Sequence, residues 1–359
     1  MNSRMRFAWP AGLLLIAGAV ALPGAAWAQT HGGTGILKIK PAARATGMGQ
    51  AGVALSQRAH SIWWNPALLG DLERPEVSST MAKLVPDLAD DVYYLNIAYA
   101  GSLGDWGGYG VDVMYLSYGQ TEATTTEGES KGFFSSYEFV PVVGAGLKLY
   151  EGDPASLLSA VNVGMAMKYV RVDLAPEWAM SVAGIENKDG SADAFGVDAG
   201  FLMRGVLVRP YAIGLNVQNL GSNLVFIDAD DADPLPRNLK VGLAVDVYDS
   251  EFLRVVGAFD FNKALITYPK RTYEEQRPRI GWGDMKELLN FGAEFSIHER
   301  LHFRLGYVDD PEGEIEALTF GAGLDVNFGQ SRTIRFDYSS VPQALDLARV
   351  SYLSVGMQL

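Results

Sequence analysis

The feature that most constrains the fold is an apolar residue at every second position, repeated over many short segments. Residues 211–218 show it clearly. One alternate set is apolar, namely Tyr211, Ile213, Leu215 and Val217. The other set is small or polar, namely Ala212, Gly214, Asn216 and Gln218. A period of two predicts β-strands with two unlike faces.

The same alternation occurs in residues 240–247 and 320–328, where the second face mixes Gly and Ala with Lys, Asp and Asn. A face of that kind suits a crowded, wet lumen better than open solvent. A soluble β-sandwich also alternates, so the period by itself leaves two architectures open.

The lengths of the connections favour one of them. Fourteen segments follow the strand pattern: 76–83, 91–100, 107–118, 135–149, 158–174, 192–204, 209–221, 237–248, 252–263, 286–298, 301–309, 316–328, 332–340 and 348–359. Connections after even-numbered segments are short, such as 101–106, 205–208 and 299–300. Those after odd-numbered segments are mostly longer, such as 119–134, 175–191, 222–236 and 264–285. Short turns on one rim and long loops on the other are typical of outer-membrane barrels.

Hydropathy points the same way. After the N-terminal segment there is no apolar run of about 18 residues, which excludes helical membrane spans. Yet 48% of residues are hydrophobic, with 40 Gly, 16 Tyr and 16 Phe. In lipid, every backbone polar group needs a partner, so the other possible spanning structure is a closed barrel. We therefore expect an all-β transmembrane barrel of about 14 antiparallel strands in the bacterial outer membrane.

Residues 1–28 have the pattern of a secretory signal peptide. Arg4 and Arg6 precede an apolar run from Ala11 to Leu22, and Ala26-Trp27-Ala28 is a small-x-small cleavage site. We expect cleavage before Gln29. The predicted organisation is then a signal peptide over 1–28, an N-terminal plug over 29–75 and a barrel over 76–359.

Charge and cysteine content exclude several classes of protein. The signal removes two of the 29 Lys and Arg and none of the 42 Asp and Glu, which leaves a mature charge of −15. Such an acidic chain is unsuited to nucleic acid, because phosphate binding needs a basic surface. The absence of cysteine excludes a disulfide scaffold.

Two blocks of the N-terminal segment do not fit the strand pattern. The first, LKIKPAARATGMGQAGVA, contains Gly47, Gly49 and Gly52 as G-x-G-x-x-G. A dinucleotide site would need a parallel βαβ context, whereas the downstream chain is antiparallel. We therefore expect no cofactor and interpret the glycines as places where backbones approach closely. The second block is SIWWNPALLG, residues 61–70.

Together these blocks resemble the N-terminal signature of the PorV/PorQ family, outer-membrane proteins related to FadL-type long-chain fatty acid transporters. The resemblance implies a FadL-like barrel whose N-terminal residues form a small plug of short helical segments in the lumen. The matching plug positions are Gly47, Gly49, Gly52, Asn65, Pro66 and Ala67. Asn65 is expected to cap a turn or helix and Pro66 to occupy its first position. This chain has Leu68 where the family often has Gly.

The resemblance implies two functions of different classes. PorV-like members serve type IX secretion, and their extracellular loops would bind secreted cargo proteins or other secretion components. FadL-like barrels instead pass hydrophobic small molecules, such as fatty acids or aromatics. For that alternative the candidate ligand contacts are Trp63, Trp64, Leu68 and Leu69. Outer-membrane lipid is an expected partner in both cases.

Catalytic and metal sites have little support, and we expect no enzyme. The chain has no nucleophile elbow, zinc motif or phosphate loop. His298 and His302 flank a short turn and are predicted to be an exposed rim pair without a third ligand. The acidic run at Asp228, Asp230, Asp231 and Asp233 lacks the glycine and distal Glu of an EF-hand. It is interpreted as a solvated loop, as are the acids at 309–316.

Overall fold

The computed structural model describes residues 34–125, 128–186, 188, 190–226, 232–267, 279–280, 287–311, 313–329, 332–343 and 347–359. The predicted signal peptide and most of the 228–233 acidic run lie outside these residues, as does Glu312. Three expectations therefore stay predictions: the cleavage site, the limits of the plug, and the interpretation of the acidic run as a solvated loop.

The described strands confirm the barrel. Fourteen antiparallel strands close into one sheet, in the order β1-β18-β17-β16-β15-β14-β11-β10-β7-β6-β5-β4-β3-β2. They are β1 (Glu76–Lys83), β2 (Val92–Ser102), β3 (Gly107–Thr124), β4 (Ser130–Glu151), β5 (Ala160–Asp173), β6 (Ser191–Val206), β7 (Pro210–Gly221), β10 (Asn238–Asp249), β11 (Leu253–Ala264), β14 (Leu288–Ile297), β15 (Leu301–Asp310), β16 (Ile315–Phe328), β17 (Arg332–Val341) and β18 (Val350–Gln358). Two further two-stranded sheets are separate from the barrel sheet. One pairs β8 (Asn223–Leu224) with β9 (Asp233–Pro234), and the other pairs β12 (Ile266–Thr267) with β13 (Arg279–Ile280).

The two faces of the wall follow the alternation in the sequence. Along β7, Ala212, Gly214 and Asn216 are buried toward the lumen, while the alternate apolar residues point outward. Exposed large hydrophobic side chains occur in strands all around the barrel, including Ile97, Met165, Phe303 and Val355. This arrangement has the polar face inside and the apolar face outside, as a membrane barrel requires.

Connections sort onto two rims, which we call the short-turn rim and the long-loop rim. Residues 207–209 and 298–300 make tight turns on the short-turn rim, whereas 174–190 and 222–237 are long connections on the other. The long-loop connection predicted over 119–134 is wrong. There β3 and β4 continue as a hairpin above their neighbours, with register shifts between Ser117 and Gln120 and between Ala123 and Thr124. Both faces of this extension are polar enough that no clear period-two signal arises.

Helical structure is limited. Within the part of the chain that is described, no helix is both long and apolar enough to cross a membrane. One helix, Glu177–Val182, lies in the long-loop connection between β5 and β6. A 3-10 helix, Gly104–Trp106, forms the turn between β2 and β3. The other described helices precede β1: two short α-helices, Ala43–Gly47 and Ser61–Trp64, and 3-10 helices at Ile36–Lys38, Arg58–His60 and Pro66–Asp71.

Candidate functional site

The segment from Thr34 to Asp71 lies inside the barrel, and we call it the hatch. It crosses the lumen from rim to rim. At its start, level with the long-loop end of β5, the Glu138 carboxylate accepts hydrogen bonds from Thr34 Oγ1, from Gly35 N (2.8 Å) and from Ile36 N (3.1 Å). At its end, Asp71 pairs with Arg204 near the short-turn rim, Oδ2 to Nη2, at 2.7 Å. The two ends of the hatch therefore lie near opposite rims of the barrel.

Wall glycines receive the hatch on almost every side. A side chain at any of these positions would meet hatch atoms: Gly108, Gly110, Gly146, Gly164, Gly200, Gly214, Gly242, Gly292, Gly306 and Gly321. At these positions the inner surface of the wall is bare backbone. Close packing of this kind leaves the hatch little freedom to shift without moving the strands themselves.

Glycines of the hatch also lie at close contacts, in the block from Gly47 to Gly52. Thr319 Oγ1 donates to Gly47 O (3.0 Å) and accepts from Gly49 N (2.8 Å). Gly49 has a φ of +66°, and a Cβ there would collide with the backbone of Phe291 and Tyr307. A Cβ at Gly52 would lie 2.6 Å from Cε3 of Trp64. In each case the missing side chain permits a close contact, with wall backbone at Gly49 and with the Trp64 ring at Gly52.

Asn65 organises the turn after the tryptophan pair. Its Nδ2 donates to Val53 O (3.0 Å) and to Phe201 O (3.1 Å), while its Oδ1 accepts from Ala67 N (3.1 Å). The 3-10 helix Pro66–Asp71 begins immediately after it, with Pro66 in the first position. One amide side chain therefore joins two parts of the hatch to the wall and caps a helix.

Trp63 and Trp64 are buried side by side against this turn. Their rings meet edge to face, with centroids 4.9 Å apart and planes at 71°. Lys240 Nζ lies 4.1 Å from the Trp63 ring centroid, a cation–π geometry. Trp64 Nε1 donates to Pro41 O at 3.1 Å. The rings thus fasten the hatch both to itself and to the wall.

The wall also binds the backbone of the pair. Asn216 Nδ2 donates to Trp64 O at 2.8 Å, and Gln218 Nε2 donates to Trp63 O at 2.6 Å. Leu68 and Leu69, the other two candidate ligand contacts, are buried in the same apolar cluster. The structure therefore brings all four candidates together in a packed region.

Ion pairs hold the other side of the hatch. Arg44 makes a two-point contact with Glu294, at 2.9 Å from Nε and 2.6 Å from Nη2. Behind it, Arg304 donates to Glu294 (2.6 Å) and to Asp337 (2.7 Å). Arg58 pairs with Glu76 at 3.2 Å. This network was not predicted, because its only signal in the sequence is charge on the small, polar face of the strands.

Burial changes the protonation of two hatch side chains. Desolvation lowers the pKa of the His60 imidazole to about 4, so the ring is neutral at pH 7; its Nε2 lies 3.3 Å from Thr80 Oγ1. Desolvation also lowers the pKa of the Lys40 ammonium to about 8, although Asp310 and Asp260 partly oppose the shift. Both effects have the same cause, which is the loss of water around the charged form.

The lumen has little free space near these groups. A cavity of about 30 Å³ is bordered by hatch and wall residues including Arg58, His60 and Glu76, which is room for a water molecule. Neither indole of the tryptophan pair borders it. Leu224 and Leu235, which lie in the connection between β7 and β10 on the long-loop rim, are completely buried in the hydrophobic core.

The predicted rim pair of histidines is wrong for one member. His298 is exposed in the turn, but His302 is buried and faces the lumen, where its Nδ1 lies 2.8 Å from Ser296 Oγ. Inward orientation at the first lumen-facing position of β15 explains the difference. Among the described residues, no group of three or more His, Cys, Asp or Glu is arranged to hold a metal ion.

Comparison with known families identifies a match over most of the chain. The family described as type IX secretion system protein PorV matches residues 28–271. No curated protein matches the sequence.

Solved structures share the fold at low sequence identity. The toluene transporter TbuX of Ralstonia pickettii superposes with a TM-score of 0.53 at 14% identity, over 88% of this chain and 96% of that one. The toluene transporter TodX of Pseudomonas putida gives a TM-score of 0.53 at 14% identity, over 88% and 95%. These proteins are transporters, not enzymes, and the likeness concerns the barrel architecture.

Proposed function

This chain belongs to the PorV family of type IX secretion system proteins, and from that membership we propose that it binds secreted cargo or other components of such a system. It is a β-barrel of the bacterial outer membrane. In barrels of this kind the short turns face the periplasm and the long loops face outward. Partner binding would then take place at the long-loop rim.

The filled lumen is the observation that carries this proposal. The hatch runs from the Glu138 clamp at one rim to Asp71 at the other. Leu224 and Leu235, from the long-loop connection after β7, are buried in the same hydrophobic core. With the interior occupied, the surfaces left for function are the rims and the outer wall, which favours an interaction protein over an open pore.

The long-loop rim offers a surface of suitable chemistry. The β3–β4 hairpin rises above its neighbours and carries Phe133, which is 64% exposed. Beside it, the helix Glu177–Val182 presents Trp178, whose ring contacts Phe134 edge to face at 6.0 Å between centroids. Exposed aromatic residues are enriched at protein interfaces. We call Phe133, Phe134 and Trp178 the rim aromatics.

The proposal is tested in the native host by replacing the chromosomal gene. We expect complete deletion to abolish secretion of type IX cargo. A Phe133→Asp, Trp178→Asp double variant should reduce cargo release at least tenfold, because charge at an apolar contact opposes binding. The matched control is Leu207→Asp, an equally polar change at an exposed residue on the short-turn rim.

Boiled and unboiled gel mobility confirms that each variant barrel is folded and present. Normal cargo release after deletion of the whole gene would refute the proposed function. If only the double variant shows normal release, the binding surface lies elsewhere than at the rim aromatics.

Passage of a hydrophobic small molecule is the second candidate function. The fold likeness to the TbuX and TodX toluene transporters favours it. Trp63, Trp64, Leu68 and Leu69 would contact such a ligand once the hatch shifts. Toluene binding by the purified protein, lost in Trp64→Ala and kept in the outward-facing Phe295→Ala, would support this function; equal uptake by cells with and without the gene would reject it.

A further inference from the structure

An apolar groove crosses the outer surface of the barrel wall. It has a volume of about 440 Å³ and lies over β10, β11, β14, β15 and β16. Gly257 and Ala293, both small, form its floor. Larger residues form its sides, namely Leu243, Phe259, Phe291, Leu305, Tyr307 and Leu318. The volume is within the range of small-ligand sites, roughly 300–1,000 Å³.

The groove lies at mid-height of the span. Gly257 is the fifth residue of β11 counted from the short-turn rim, and Ala293 is the fifth of β14 counted from the same rim. Phe259 is five residues from the other end of β11. Because the groove faces outward at this depth, hydrocarbon surrounds it, and water has no polar partner there.

Its dimensions select the occupant. Five adjacent strands at a spacing of about 4.8 Å give a length of about 19 Å. The volume divided by this length is a mean cross-section of about 23 Å², which matches one extended hydrocarbon chain. A helix is about 10–12 Å wide and does not enter, and a strand from a partner would leave backbone groups unpaired in lipid.

We propose that this groove is a binding site for one acyl chain of an outer-membrane lipid. Lipid tails are as apolar as the wall, so close packing supplies the preference for the groove over the rest of the surface. The Phe259 and Phe291 rings, 5.0 Å apart between centroids, make one rigid side. The chain would fill the space that Gly257 and Ala293 leave empty.

The wall beneath the groove is thin, because its inner side is also bare. Gly292 and Gly306 face inward here and receive Met48 and Gly49 of the hatch. The Tyr307 backbone touches Gly49 on the inside, while its side chain borders the groove outside. A bound chain therefore packs on the same stretch of backbone that supports the hatch.

The site is tested by native mass spectrometry of the full chain, purified in detergent and supplied with dimyristoyl phosphatidylethanolamine. Gly257→Leu fills the groove, and it should fold, since a Cβ at 257 meets only Val247 Cγ2 at 3.6 Å. Ala293→Leu is the second filling variant. Ala145→Leu is the matched control, an outward-facing alanine in β4 on another part of the wall.

We expect the natural chain and the Ala145→Leu control to retain one lipid at activation energies that strip all others. Both filling variants should retain none, a change from one to zero. Equal retention in all four proteins would overturn the site, as would loss in the control alone. Because lipid retention is measured without partners, its failure is independent of the proposed role in secretion.

Discussion

The hatch meets the barrel wall in two different ways. Against β3 to β7, the segment Ser61–Asp71 packs Ile62, Leu69 and the Pro66 turn onto glycine backbone. Against β14 to β18 and β1, Arg44 and Arg58 pair with wall carboxylates. We call these the packed side and the ionic side. Packing is insensitive to salt and pH, whereas ion pairs respond to both, so the two sides should loosen under different conditions.

The largest effect is expected on the packed side. Trp64→Ala removes a completely buried indole, which costs about 3–5 kcal/mol for large-to-alanine changes in a core. Amide hydrogen exchange of the hatch, measured by mass spectrometry, should accelerate at least a hundredfold at any salt concentration. Phe295→Ala, an outward-facing aromatic, is the control and should leave hatch exchange unchanged. Unaltered protection in Trp64→Ala would mean that the packed side contributes little.

A smaller effect is expected on the ionic side. Arg44→Met keeps the unbranched stem of the side chain but removes the guanidinium and its two-point contact with Glu294, which still has Arg304. We expect about 2 kcal/mol of lost protection around the helix Ala43–Gly47, less than the roughly 3–5 kcal/mol for breaking an isolated buried pair.

Salt distinguishes this variant from the first. High salt should narrow the difference between Arg44→Met and the natural chain, because screening weakens the pair that only the natural chain has. Lys131→Met, which changes an exposed rim charge, is the control. A difference independent of salt would show that Arg44 acts through packing.

The smallest effect comes from His60, on the border between the two sides. Its pKa is about 4 in the folded chain and about 6.5 when unfolded, so the open state binds the proton more readily. Stability is complete above pH 6.5 and is lost as pH falls toward 4. Between pH 7 and pH 5 we expect a loss of about 1–2 kcal/mol in hatch protection.

Replacing the ring tests the source of this pH dependence. His60→Gln cannot titrate, so its hatch exchange, corrected for intrinsic rates, should lose most of this dependence between pH 7 and pH 5. The natural chain serves as its reference under the same buffers. A variant that keeps the full dependence would assign it to the wall carboxylates.

Much of the fold was predictable because it is encoded locally. The alternation in residues 211–218 and 320–328 separates a lipid face from a lumen face without knowledge of any distant contact. Asn65 and Pro66 likewise carry their conformational preferences within two residues. The closed barrel could therefore be inferred from the alternation and the loop lengths, whereas the short helical segments before β1 were expected from the family resemblance.

The contacts that dock the hatch could not be predicted. Arg44 and Glu294 are 250 residues apart in the chain, and no local pattern links them. His302 looked like a rim residue because the strand phase after the turn was unknown. The β3–β4 extension has polar residues on both faces, so its sequence shows no alternation. Only the pairing of the two strands with each other reveals that it is β-structure.

The path of the hatch has a consequence for biogenesis. Thr34 is held near one rim and Asp71 near the other, while the seam that joins the first strand to the last is the β1–β18 pair. To enter a barrel that had already closed, the hatch would have to pass its indole and guanidinium groups through a lumen lined by the side chains of the wall. We therefore expect the segment to be in place before the seam closes, so that the barrel assembles around it. A chain that lacks the residues before Glu76 would thus lose the segment against which its glycine-lined wall packs.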